Sequence, residues 1–131
     1  LRKIVEEFKS FSDPQDYFEE LIAFGEDLDE LPREQRTETN RVPGCVSNVH
    51  IEAELRDGKM YYRGCSDSHL VRGLVAILVK GLSDVPPEDV LSVEPDFLQE
   101  AGLLKSLTPS RANASYNIFE MMKRRAAEAA A

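Results

Sequence analysis

Along this chain the spacing of apolar residues switches from helical to alternating and back, and the switches mark its elements. Near the start Phe18, Leu21, Ile22, Gly25 and Leu28 fall on one helical face. Asp13 stands at a cap position with Pro14 at the first helical position, and Asp16 lies in the first turn, where the helix dipole favours negative charge. An amphipathic helix is predicted from Pro14 to near Leu31 and Pro32, preceded by a shorter apolar helix over residues 4–11 and followed by a polar connecting loop over 33–40.

From residue 46 the period shortens. Val49, Ile51, Ala53 and Leu55 alternate with Asn48, His50, Glu52 and Glu54, and after Asp57-Gly58 comes the run Met60-Tyr61-Tyr62-Arg63-Gly64. Asp-Gly between two such runs predicts a tight hairpin, because both turn residues must tolerate positive φ. In that register Cys65 falls opposite His50.

The helical period then returns. Ser66, Asp67 and Ser68 offer caps for a helix whose Leu70, Val71, Leu74, Val75, Ala76, Ile77, Leu78 and Val79 are apolar almost all round, the pattern of a helix buried on several sides. Gly73 costs such a helix about 1 kcal/mol relative to alanine, which points to a close backbone approach. Pro86-Pro87-Glu88-Asp89 starts a short helix, and residues 95–100 another. Thr108 caps and Pro109 opens a long C-terminal helix carrying Tyr116, Phe119 and Met122, with Lys123-Arg124-Arg125 near its end and a frayed tail over 126–131. With no internal repeat and no linker, residues 1–131 read as a single α+β domain, a small antiparallel sheet packed against helices.

With 42% apolar and 31% charged residues in 131, the composition is that of one globular domain. No run reaches the roughly 20 apolar residues of a membrane span; residues 70–82 come nearest and are broken by Arg72, Gly73, Lys80 and Gly81. No membrane partner is expected. The formal net charge of −8 argues against a nucleic-acid partner, which needs a basic stripe. The acidic pairs Glu19-Glu20, Glu26-Asp27 and Asp29-Glu30 read as a solvated helix face rather than a docking patch. The N-terminus lacks the layout of a secretory signal, and two cysteines without such a signal fit a reducing compartment. That means the cytoplasm, or a plastid or other organelle matrix if a leader has been trimmed.

Candidate chemistry centres on Arg41-Val42-Pro43-Gly44-Cys45-Val46-Ser47. A Pro-Gly pair directly before a thiol places that side chain on a bent loop. Two readings stay open on the local run: a presented nucleophile, or a small hydrophobe used in the core. Two cysteines are too few for a structural metal site unless His50 and His69 complete a Cys2His2 set. A cysteine-nucleophile hydrolase is disfavoured, since neither histidine has a recognisable spacing to Cys45. In the predicted hairpin Cys65 lies on the order of 16 Å along the strand from Cys45, against a disulfide limit near 7 Å between Cα atoms. Cys65 is therefore expected to be free and mostly structural.

The ordered set Pro43-Gly44-Cys45-Val46-Ser47, Asp57-Gly58-Lys59, Gly64-Cys65-Ser66-Asp67-Ser68, Val71-Arg72-Gly73-Leu74-Val75-Ala76 and Leu107-Thr108-Pro109-Ser110-Arg111 resembles the SufE family of sulfur acceptors. The resemblance implies a compact α+β fold similar to the NifU and IscU scaffolds. It also implies a function: taking persulfide sulfur from a SufS- or CsdA-type cysteine desulfurase, stimulating that enzyme, and delivering the sulfur to a SufBCD-type scaffold for iron–sulfur cluster assembly. No cofactor resident in this chain is implied; the sulfur rides as a covalent persulfide on Cys45, and pyridoxal phosphate belongs to the desulfurase.

By the same resemblance Cys45 is the acceptor, and Gly44 and Ser47 shape its loop. Asp67 is an acidic residue beside the loop, and Arg111 is expected as a cation that orders the loop or favours the thiolate. The sequence departs from the usual pattern at Cys65, where an acidic residue is more common, at Val46 for glutamine, at His50 for tryptophan, and at Ala114-Ser115 for Asn-Gly. A CsdE-like member would look much the same. The alternative is a metal-binding or iron–sulfur scaffold domain of the related IscU-like fold, using Cys45, Cys65 and a histidine.

Overall fold

A computed structural model describes residues 14–28, 30–44, 48–94 and 109–130, without the side chains of 14, 15, 17 and 109–112. The helices expected over 4–11 and 95–100, and the caps expected of Asp13 and Thr108, lie outside these residues. The described elements are α1 (Pro14–Glu26), single 3-10 turns at Arg33–Gln35 and Glu38–Asn40, β1 (Val49–Arg56), β2 (Lys59–Ser66), α2 (His69–Leu82), α3 (Pro87–Ser92) and α4 (Pro109–Ala130).

The hairpin follows from its turn. Asp57 and Gly58 have φ of 51° and 80°, the two positive values that a two-residue connection between twisted strands demands. The register runs from Arg56 opposite Lys59 to Val49 opposite Ser66, and sets Cys65 opposite His50. One face, with Val49, Ile51, Met60, Tyr62 and Gly64, is buried. Burial fades toward the turn, so Leu55 on that face is 44% exposed.

α2 is the spine. Ser68 caps it, its side chain accepting from the Val71 N–H at 3.4 Å, and eight of its residues from Val71 to Leu82 are buried. α1 lies against it with Leu21 buried and Phe18 and Ile22 half-buried, as is Leu28 just past its end. The two backbones come close: a Cβ on Gly25 would stand 3.0 Å from the Gly73 nitrogen, and one on Gly73 would run into the Leu21 carbonyl. Gly73 thus trades helix propensity for interhelical contact. α4 closes the core with Ile118, Phe119 and Met122, and the Tyr62 hydroxyl ties hairpin to helix by donating to the Met122 carbonyl at 2.8 Å. Burial pushes that phenol well above its ordinary value.

Three expectations are corrected. The tail expected to fray from residue 126 is helical through Ala130, because Ala126 is buried in the core and Ala129 packs against it. α1 stops at Glu26, short of Leu31, because the chain is captured by the edge of β2: Glu30 bridges Gly64, and the Leu31 N–H donates to the Gly64 carbonyl at 3.3 Å. Residues bonded as a strand extension cannot also continue the helix. The connection expected as a plain loop over 33–40 winds into two 3-10 turns, closed by Arg36 N–H to Arg33 O at 3.1 Å and Arg41 N–H to Glu38 O at 3.2 Å.

Gly73→Ala is expected to destabilise the protein by about 1–3 kcal/mol, because overpacking against the α1 backbone outweighs the roughly 1 kcal/mol that alanine gains in a helix. Urea unfolding measures this; a raised midpoint would show that the two helices separate without cost.

Candidate functional site

The segment before Cys45 is built by the edge of β1. Arg41 bridges His50, and the Val42 N–H donates to the Val49 carbonyl at 2.8 Å, which closes a loop between residues 42 and 49. Cys45, Val46 and Ser47 within it lie outside the described residues, as does the Arg111 side chain on the first turn of α4. The residues on either side are described, and both are held.

On the near side Gly44 has φ of +79°, a left-handed conformation that glycine takes without strain. Its carbonyl accepts from the Asn117 Nδ2 of α4 at 3.2 Å, and a Cβ in its place would press on that amide at 2.9 Å. On the far side the Asp67 carboxylate accepts from the Asn48 backbone N–H and from its Nδ2, both at 3.2 Å, while the Asp67 N–H donates to the Asn48 carbonyl at 3.3 Å. Asp67 can reach Asn48 because Ser66 is the last residue of β2, opposite Val49.

Neither Asn48 nor Asn117 stood out in the sequence. Asn117 did leave a signal, an amide between Tyr116 and Ile118 on a helix face that packs inward, where asparagine is a poor helix former. Farther along, Arg125 donates to the Thr39 carbonyl at 2.6 Å, so α4 holds the incoming arm at two points.

Cys65 occupies a different setting. It lines a cleft of about 370 Å³ with Glu30, Arg36, His50 and Arg72, and is itself 5% exposed. Burial pushes its thiol up from the ordinary value, outweighing the Arg36 guanidinium and a hydrogen bond from the His50 backbone that act to lower it. The cations nearby are already engaged: Glu30 pairs with Arg72 at 2.8 Å and with Arg36 at 3.5 Å. His50 is held below its ordinary value, first by burial and then by Arg41 and Arg36, and so is neutral at physiological pH. Cys65 is free of disulfide. Among the described residues no three His, Cys, Asp or Glu side chains gather as a metal site, and no helix is long and apolar enough to cross a membrane.

Comparison with known proteins gives a consistent result. The model of the SufE family, described as an Fe-S metabolism associated domain, matches residues 2–126. The chain is 48% identical over 126 residues to an uncharacterised SufE-like protein of Synechocystis, an alignment covering 96% of this chain and 79% of that one. It is 40% identical to the cysteine desulfuration protein SufE of Plasmodium vivax, over 94% of this chain and 51% of that one. It is 39% identical to SufE-like protein 1, chloroplastic/mitochondrial, of Arabidopsis thaliana, over 96% of this chain and 34% of that one. The chain thus spans about half of the Plasmodium protein and about a third of the Arabidopsis one. The solution structure of a hypothetical protein from Thermus thermophilus superposes with a TM-score of 0.84 at 23% identity, covering 98% of this chain and 93% of that one, and has the same fold.

In a Cys45→Ser variant, where Cys65 is the one thiol left, iodoacetamide should modify the native protein far more slowly than the unfolded chain. Raising the thiol pKa on folding means that stability present below the unfolded value is lost as pH rises through the raised folded value. Denaturation midpoints should accordingly fall on the alkaline side of about pH 8.5. Rapid labelling at neutral pH would contradict the buried, neutral thiol.

Proposed function

The chain belongs to the SufE family, and we propose that Cys45 is its sulfur acceptor. Its role lies in iron–sulfur metabolism, and the family implies a cysteine desulfurase as partner. The finer reading is that the partner is a SufS- or CsdA-type enzyme, whose activity this chain stimulates, and that a SufBCD-type scaffold receives the sulfur.

The step needs no oxidant or reductant. The Cys45 thiolate attacks the outer sulfur of the desulfurase persulfide, a new S–S bond forms on Cys45, the old one breaks, and the electron pair leaves with the desulfurase thiolate. Pyridoxal phosphate stays in the partner. The cytoplasm or an organelle matrix is the compartment we assign, since free thiols need reducing surroundings.

One observation carries the reading: the segment holding Cys45 is pinned on both sides, by Asn117 at Gly44 and by Asp67 at Asn48, whereas the other thiol is buried and protonated. Anchoring the flanks limits the conformations a loop must give up when a partner docks, so a presented thiol meets its target at lower entropic cost. α4 carries Arg111 about 9 Å along its axis from Asn117, at about 1.5 Å per residue. We assign its guanidinium the role of favouring the Cys45 thiolate. Ser47 completes the loop.

Incubation with a SufS-type desulfurase and cysteine should add the mass of one sulfur atom at Cys45, detected by peptide mass spectrometry under non-reducing conditions. Cys45→Ser should abolish the addition and leave the unfolding midpoint nearly unchanged, serine being close to isosteric. Asn117→Ala and Asp67→Ala should each slow uptake several-fold at a stability cost of about 1 kcal/mol. Uptake by Cys45→Ser at the parental rate would overturn the assignment.

A further inference from the structure

The arm that leads to Cys45 forms one wall of a second cleft, of about 480 Å³, whose other wall is α4. Buried Val42 and Met121 border it, and Arg41, Arg124 and Arg125 stand around it together with Glu38 and Glu128. These cations are unequally committed. Arg125 is spent on the Thr39 carbonyl and on Glu128 at 3.5 Å. Among the described residues the Arg41 side chain pairs with Glu38, at 3.8 Å, in a pair whose side chains are 43% and 90% exposed, a contact worth little. Arg124 is exposed and has neither a hydrogen bond nor an ion pair among the described residues.

Two lightly used guanidinium groups on one cleft stand out in a chain of net charge −8, whose α1 exposes Asp16, Glu19 and Glu26 and whose α3 exposes Glu88 and Asp89. Pro43 and Gly44 also line the cleft, and Gly44 directly precedes Cys45. Any protein that brings a persulfide sulfur to Cys45 must therefore lie against or beside it.

We propose that this cleft is a docking groove for an acidic, carboxylate-bearing segment of the cysteine desulfurase, with Arg41 and Arg124 as its anion contacts. The inference rests on the sulfur-acceptor reading above and adds to it the surface and the charge by which the partner is held. Guanidinium groups suit the task because their paired N–H donors match a carboxylate in two-point geometry. Complementary charge beside the acceptor also steers such a segment to the one arm of an otherwise acidic chain from which Cys45 follows. A second copy of this chain, offering the acidic face of α1, would match the charge. It would also cover the Cys45 arm and block transfer.

The test titrates a SufS-type desulfurase with the parent chain and with Arg41→Glu, Arg124→Glu and the double variant, at low and high salt, after thermal melts show that each is folded. The dissociation constant should rise about fivefold for each single change and about twentyfold for the double. Salt should weaken the parent complex and affect the double variant less. At saturating desulfurase the double variant should load Cys45 at the parental rate, and Glu26→Lys on α1 should bind within about twofold of the parent. If the parent loads sulfur while the double variant binds as tightly as the parent, the groove is wrong and the acceptor reading stands. If the parent gains no sulfur at Cys45, both fall. A parental dimer that dissociates on Arg124→Glu in sedimentation would assign the groove to a second copy instead.

Discussion

The constraint on which the site depends is the two-residue Asp57-Gly58 turn. Because side chains alternate along a strand, a slip of one residue would exchange the faces of the whole hairpin. The two positive φ values fix which residue faces which, and so place the end of β2 against the start of β1. That register lets Asp67 clasp Asn48 and puts Cys65 beside His50 on the outer face, with Val49, Ile51 and Tyr62 inward. A turn some ten residues from the candidate acceptor loop thus determines what that loop is fastened to.

α4 acts on the same loop from the opposite side. Its inward face is part of the core, through Ile118, Phe119 and Met122, and so its position is set by apolar burial rather than by the site. The polar contacts it makes to the Thr39–Gly44 arm are then made from a rigid support. This division matters energetically. A single exposed hydrogen bond such as Asn117 to Gly44 contributes only about 1 kcal/mol to stability, but one made from a fixed helix can still select a loop conformation. Function is therefore expected to be more sensitive than stability to these contacts.

What could be read from the sequence was local. The hairpin, its register, the burial of α2, the Ser68 cap and the close approach at Gly73 all follow from spacing within a few residues, and the structure has each of them. The end of α1 could not be read, because β2 competes for Glu30 and Leu31 from more than thirty residues away. Nor could the anchors of the arm, since Asn117 meets Gly44 across 73 residues and Arg125 meets Thr39 across 86. The surroundings of Cys65 come from three separate segments, at Glu30, Arg36 and Arg72, and no pattern of spacing announces such a meeting. The family resemblance pointed to Cys45 and Asp67 by ordered motifs, and the tertiary contacts supply the physical account of how the flanks of Cys45 are held.

Under the role proposed for Cys45, the contrast between the two cysteines bears on how a sulfur carrier would avoid discharging onto itself. A persulfide on Cys45 is open to attack by any thiolate that reaches it, and attack on the inner sulfur by Cys65 would yield a disulfide and release sulfide. The rate of such exchange scales with the thiolate fraction of the attacking group. Burial raises the Cys65 pKa despite Arg36, and the Glu30 carboxylate, which could have left two guanidinium groups free to stabilise a thiolate, pairs with both of them. Removing Glu30 would free those cations and make Cys65 more acidic. The same carboxylate that organises the Cys65 cleft therefore adds to the burial that raises that thiol's pKa, and a second cysteine can sit near the proposed acceptor loop without competing for its cargo.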